Sequence, residues 1–526
     1  MDIISRAFER NPPLPWTEDS IFNAICRYLD PASGSLRDGL RLPDEAALEL
    51  KGGPRYTAGA RDGIATHHMG FHANQERAVR AASLLDRAAR RADPAALVEC
   101  YRLLQDDDVL EIIDALLAQL IEMRTPVEPL KALALELATR SRDRGPVKVG
   151  IALLGATEAV EHRQIVTTLG KHDELTLYAA VALCGMLPEP LLPMWELARH
   201  VKGWGRIQVI ERLVPTDNVE LQRWLRTEGY CNSVMNEYLA LIAATHGRLL
   251  AALEQPSLPP DELAAACDLI CALIASDAGP VAGMDSYADA ADVCLQLLRH
   301  IAVAPADLRH LLAVQAMLGY LAAEQREQAE RLKHGWSEGA SRSVQSLASE
   351  LAARPLWAEL VRTHLDAPDD ASFHRADQCA RQMGLDTFQW HWRRLESGAQ
   401  EPGNWFRVMR AANPERIDQI VAFAGRTLPL EAIATGPDSE LGLGKAFQAH
   451  TCLGFVLQDL PAFPGKGRAL ILAGLRSPVV SNRNKAIGAL EAWEPTQRAD
   501  LQDALARAYE EEVNETVRAR LVKLLT

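Results

Sequence analysis

Gly150-Ile-Ala-Leu-Leu-Gly155 returns 30 residues later as Ala180-Val-Ala-Leu-Cys-Gly185, and comparable apolar stretches at 207–213, 238–243 and 271–275 follow at roughly that interval. A period of this size marks stacked helical pairs, each too small to bury its own apolar face, so that a core forms only when neighbours pack together. The phrase therefore decides the architecture. It carries no chemistry of its own.

Working outward, the chain of 526 residues exceeds the roughly 250 to 300 at which a single core stops growing, so it either divides or extends by repetition. The recurrence favours repetition. Hydrophobic residues at 48% and charged residues at 24% are those of a folded protein, and abundant Ala and Leu with only 6% aromatics fit an all-α chain. The net charge of −14 argues against nucleic acid as a partner, because that affinity comes from Lys and Arg neutralising phosphates. Nine scattered cysteines, odd in number and without a CxxC pair, fit reduced thiols and a cytoplasmic location. The opening carries Asp2, Arg6, Glu9 and Arg10 with no apolar run of leader length behind them. No stretch of about 18 uncharged apolar residues points to a membrane.

Three segments are expected. Residues 1–75 read as an irregular N-terminal cap or arm, broken by Pro12, Pro13, Pro15, Pro31, Pro43 and Pro54 and by several glycines, apart from a short helix near 19–28. Residues 76–333 form a first helical-repeat segment, in which 77–91, 94–105 and 109–123 keep apolar residues at i, i+3, i+4 spacing. Prolines 126, 129, 146, 188, 190 and 193 punctuate it at helix boundaries. Residues 334–526 form a second segment, with looser stretches at 334–342, 366–372 and 425–445 and a C-terminal cap. Glu510, Glu511, Glu512 and Glu515 suit the polar outer face of that cap.

Ser477-Pro-Val-Val-Ser-Asn-Arg-Asn-Lys-Ala-Ile-Gly-Ala-Leu490 and Glu515-Thr-Val-Arg-Ala-Arg-Leu-Val-Lys-Leu-Leu525, with the units at 147–275, resemble HEAT or armadillo-like α-solenoids. The resemblance covers about a third of the chain and implies an irregular HEAT-like solenoid of stacked antiparallel helix pairs. Gly203-Trp-Gly-Arg-Ile-Gln-Val-Ile-Glu-Arg-Leu213 with Glu228-Gly-Tyr-Cys-Asn-Ser-Val-Met-Asn-Glu-Tyr-Leu239 resembles a family of bacterial helical-repeat proteins, some labelled limonene hydroxylase. A terpene oxygenase would hold haem, flavin or non-haem iron, and the sequence has no pattern for any of them.

Three constellations could carry function. Asp62, His67, His68 and His72 are candidate metal ligands: on a helix His68 and His72 would share a face at i, i+4, although Gly63 and Gly70 oppose a regular helix. Deoxyhypusine hydroxylases are metalloenzymes of the HEAT fold, but they repeat a His-Glu pair across several units and this chain does not. Trp204, Arg206, Glu211 and Arg212, followed by Trp224, Asn232 and Asn236 in the next unit, could line a concave groove; equally, they could join one repeat to the next. Trp390, Trp392, Arg393 and Arg394, with Trp405, Phe406 and Arg407 behind them, form the densest aromatic and basic cluster, a composition shared by binding hot spots and by a core edged with solvated arginines. Gly442-Leu-Gly444-Lys445 lacks the spacing of a phosphate loop, and Cys267 with Cys271 reads as core.

The expectation is an all-α repeat scaffold or adaptor that binds a protein or peptide on its concave surface and needs no cofactor. The alternatives are a metal-dependent enzyme or hydroxylase on the same fold, and a HEAT-like nucleic-acid-binding protein of the kind seen among DNA glycosylases.

Overall fold

Helices supply every regular element among the described residues, 14, 16, 18–51, 56–105, 108–276, 281–322, 331 and 336–525 of a computed structural model; the extended contacts there are two isolated bridges, Leu29 with Leu36 and Glu440 with Val479. The all-α expectation is met. Features expected in residues 1–10 and at Pro12, Pro13, Pro15, Pro54 and His334 lie outside the described residues.

The chain divides into two units, Met1–Arg354 and Pro355–Thr526. The first opens with α1 (Ile21–Tyr28), α2 (Glu45–Lys51) and α3 (Ala60–Ile64), the last running on as a π-helical turn, Ala65–Met69. Next come α4 (Gln75–Arg91), α5 (Pro94–Leu104), α6 (Ile113–Glu122), α7 (Val127–Arg140), α8 (Arg144–Ala156), α9 (Arg163–Gly170), α10 (Asp173–Met186), α11 (Leu191–His200) and α12 (Trp204–Leu213). The unit continues through α13 (Val219–Trp224), α14 (Glu237–His246), α15 (Leu249–Leu253), α16 (Pro260–Ser276), α17 (Ala290–Val303), α18 (Leu308–Leu321) and α19 (Glu338–Ala352). Packing is between near neighbours, so that α8, α10, α12, α14, α16, α18 and α19 form one row. Because α19 packs on α17 and α18, the division falls after Arg354, later than the expected boundary at 333.

The glycines of the repeated phrase set how closely this row packs. A Cβ at Gly150 would lie 2.6 Å from the Ala138 backbone nitrogen in α7, and one at Gly155 would lie 2.6 Å from the Ala182 Cα in α10. Glycine disfavours a helix interior by roughly 0.5–1 kcal/mol, and here contact at backbone distance offsets that loss. Asp173, at the start of α10, accepts the amides of Gly203 (3.1 Å) and Gly205 (2.8 Å) at the start of α12, tying helix starts together at the spacing of the phrase.

In the described part of the arm, short helices are fixed by local caps and by packing. Ser20 caps α1 by accepting the Asn23 amide, and Ile21 and Ile25 join the core of this unit with Leu42 and Ala60. Gly63 does not break α3. It lies against Trp204, whose ring would be 2.2 Å from a Cβ there, and the helix persists until Gly70, where φ is 68°.

In the second unit the helices are α20 (Leu356–Leu365), α21 (Asp370–Gln382), α22 (Phe388–Ser397), α23 (Pro402–Arg410), α24 (Ile417–Thr427), α25 (Leu430–Ile433), α26 (Gln448–Asp459), α27 (Arg468–Leu475), α28 (Val480–Glu491), α29 (Pro495–Arg498), α30 (Gln502–Glu511) and α31 (Glu515–Leu525). From α22 onward they close over a separate core containing Trp392, Trp405 and Trp493. One expected cap residue is misplaced. Glu512 does not face water: it is buried and accepts from Arg483 Nε and Nη2, both at 2.8 Å, because the fully buried Arg483 needs a counter-charge.

Candidate functional site

The arm is fastened to the helical row at two places, one buried and one near the surface. The buried fastening begins at Arg144, the first residue of α8. Its backbone N and Nε donate to Asp44 Oδ2 at 2.8 and 3.0 Å, Nη2 donates to Glu45 Oε2 at 2.7 Å, and Nη1 lies 3.5 Å from Glu174. One turn on, Lys148 has no exposed surface; its Nζ donates to Asp62 Oδ2 at 2.9 Å and Glu174 Oε1 at 2.6 Å and lies 5.3 Å from the centre of the Tyr178 ring. The other Glu174 oxygen accepts the Gly59 amide at 2.9 Å. Two cations of the row thus bind three carboxylates of the arm and one of α10.

Electrostatics here are set by pairing. Burial opposes the charge on Glu174, but Lys148, Arg144 and the Gly59 amide outweigh it and draw its pKa down to about 2. Burial pushes His172, beside this network, down to about 4, so its ring is neutral near pH 7 and its Nδ1 accepts the Glu174 amide at 3.3 Å.

The outer fastening is made by the expected metal residues. His67 Nε2 lies 2.8 Å from Glu211 Oε1 in α12, and His68 Nε2 lies 2.6 Å from the Tyr238 hydroxyl in α14. The rings of His67, Trp204 and Tyr238 pack together, with centroids 5.0 to 6.0 Å apart. Asp62 turns inward to Lys148, while His72 lies beyond the stop at Gly70 and is exposed. The i, i+4 face for His68 and His72 therefore does not form. Among the described residues, no group of three or more His, Cys, Asp or Glu side chains is arranged to hold a metal.

The residues expected to line a groove are occupied inside the row. Trp204 and Trp224 are buried, and Arg206 donates from Nε to the Val201 carbonyl and from Nη1 to the Cys231 carbonyl, both at 2.7 Å. Asn232 Nδ2 donates to the Gly203 carbonyl at 2.9 Å, Asn236 Oδ1 accepts the Asn232 amide at 2.8 Å, and Arg212 Nη1 donates to the Gln208 carbonyl at 2.7 Å. These bonds span single helices and the junctions between them. In the second unit Trp392 and Trp405 are buried, and Trp390, half-buried, donates from Nε1 to Asp366 at 2.9 Å. Arg394 lies over the Phe373 ring at 3.9 Å and donates to Asp370 at 2.6 Å, whereas Arg393 is exposed. Between Trp390 and Trp392, His391 is buried with Nε2 2.8 Å from Asp377 Oδ1, a pairing the sequence did not announce.

An open groove between α6, α7 and α8 was also not anticipated. It encloses about 380 Å³ and is lined chiefly by Leu117, Ile121, Val127, Leu130 and Leu153, with Arg124 in its wall. Ile121 and Val127 are 75% and 53% exposed. The available sequence signal was the apolar excess on α6, where Ile121 falls outside the buried stripe of Ile113, Leu116 and Leu120. No family model, curated protein or solved structure matches the chain.

Proposed function

We propose that this chain is a cytoplasmic HEAT-like α-solenoid scaffold that binds a protein partner, and that the partner places a short apolar peptide segment bearing a carboxylate in the groove between α6, α7 and α8. The groove carries this reading. Large aliphatic side chains left side by side in water are what a partner's apolar residues cover, and the volume lies in the range of roughly 300–1,000 Å³ found for binding clefts. Arg124 supplies the charge. It is held at φ 50°, where glycine is more usual, by a turn that Arg90 clamps: Nη2 donates to the Met123 and Arg124 carbonyls, both at 2.7 Å, while Nε holds Asp86. The Arg124 guanidinium makes no ion pair with another described residue, which leaves it for a carboxylate.

The row of near-neighbour helices and the Asp173 links at the phrase spacing support the solenoid reading, and nine free cysteines support a reducing compartment. Among the described residues no helix is long and apolar enough to cross a membrane. A random peptide library displayed on phage and selected on the immobilised full chain tests the proposal. Enriched peptides should combine apolar residues with Asp, Glu or a free C-terminus, and should lose about tenfold or more in affinity, some 1.4 kcal/mol, against Ile121→Asp and Arg124→Glu. Peptides that bind these variants as well as the parent, or no enrichment, refute it.

A further inference from the structure

The outer fastening of the arm has a proton requirement that follows from its geometry. His67 Nδ1 lies 2.8 Å from the Gly63 carbonyl oxygen, which can only accept, and Nε2 lies 2.8 Å from the Glu211 carboxylate, which also only accepts when ionised. Thr66 Oγ1, 3.0 Å from Nδ1, does not change this balance. Its hydroxyl has acceptors in the Asp62 carbonyl at 2.9 Å and the Gly63 carbonyl at 3.0 Å, its oxygen accepts from Gln208 Nε2 at 3.0 Å, and even with the hydroxyl turned to Nδ1 the Gly63 carbonyl 2.8 Å away would still face a ring lone pair. A neutral imidazole has one N–H and leaves one nitrogen lone pair facing an oxygen lone pair. Both contacts are satisfied together only by the imidazolium.

We infer that His67 is a protonation-controlled latch: its imidazolium fastens the 65–69 turn of the arm to α12, and loss of that proton frees the turn. The surroundings favour the charged form in the closed state. The Glu211 hydrogen bond raises the His67 pKa most, burial lowers it, and the Gly63 carbonyl and the Glu211 charge raise it further against Arg212, with a net upward shift from 6.5. The groups facing the ring are Trp204, Glu211 and Arg212 from α12, Tyr238 from α14, and Thr66 and His68 from its own segment. Because the pKa in the closed state lies above the open-state value, the latch is at full strength below about 6.5 and is lost as pH rises through the raised value. Freeing this turn withdraws the His67 ring from the rings of Trp204 and Tyr238.

Hydrogen–deuterium exchange of the full chain, read by mass spectrometry and corrected for the intrinsic pH dependence of exchange, tests the latch. Protection of residues 65–69 should fall by about tenfold or more between about pH 6 and pH 8.5, while α16 is unchanged. In Glu211→Gln, which keeps the side chain's shape and removes its charge, that pH dependence should vanish. In His68→Gln, which keeps His67 and Glu211, it should persist. Parent protection that does not change with pH, or an undiminished dependence in Glu211→Gln, overturns the inference.

Discussion

Replacing Lys148 with methionine keeps the aliphatic stem and deletes the charge at the centre of the arm's buried fastening. Lys148 has no exposed surface, and its ammonium serves Asp62 at 2.9 Å and Glu174 at 2.6 Å. Without it Glu174 still has Arg144 at 3.5 Å and the Gly59 amide at 2.9 Å, but Asp62, itself buried, loses its cation. Removing one partner from a buried ion pair costs about 3–5 kcal/mol because the other charge is left uncompensated. Against a typical total of about 5–15 kcal/mol, that is enough to detach the arm or unfold the first unit. Urea unfolding followed by tryptophan fluorescence measures the loss, and exchange across residues 56–69 locates it. The double variant Lys148→Met, Asp62→Asn removes the stranded charge as well and should recover about 1 kcal/mol or more of the single-variant loss. A loss below about 1 kcal/mol, or strict additivity in the double variant, refutes the view that the pairing of these charges holds the arm.

Gly63→Ala sets a methyl against the Trp204 ring and Gly155→Ala sets one against the Ala182 backbone, so each should destabilise by about 1–3 kcal/mol in thermal melts, whereas Gly425→Ala, with nothing within 4 Å of its Cβ position, should stabilise α24 by about 0.5–1 kcal/mol. Glu174 titrates at about 2 in the folded chain against an ordinary 4.5, so its contribution is complete above pH 4.5 and disappears as pH falls towards 2. Urea midpoints between about pH 5 and pH 3 should therefore fall, and fall less in Glu174→Gln.

The repeat was legible because its signal is local: small residues recur in the sequence where α8 meets α7 and α10. The fastenings were not, because their meaning depends on distant partners. Lys148 in Pro146-Val-Lys-Val-Gly150 resembles a lysine that extends its head to water, and only the fold brings Asp62, 86 residues away, to its ammonium. His67 stood out as one of three close histidines, a grouping that suggests metal; its actual partner, Glu211, is 144 residues distant. Glu512 shows the opposite error, a glutamate in an acidic run read as solvated when Arg483, 29 residues earlier, had drawn it inside. The aromatic cluster around Trp390 divides at single-residue resolution: Trp392 is buried, Trp390 half-buried and Arg393 in water, a partition set by which side of α22 meets the core.

The two fastenings respond to different conditions, and that difference determines how the arm can move. Glu174 gains its proton only near pH 2 and His172 only near 4, so the inner contacts of Glu174 with Arg144 and Lys148 persist through the neutral range. His67, by contrast, has its pKa raised above the ordinary 6.5. A rise in pH through neutrality therefore loosens the arm from its outer end inward, beginning at the turn that closes at Gly70, while Asp62 keeps α3 tethered at its base. The result is a hinged release that leaves the first unit folded. It places the exposed Met69 and Phe71 on the part of the arm that moves furthest.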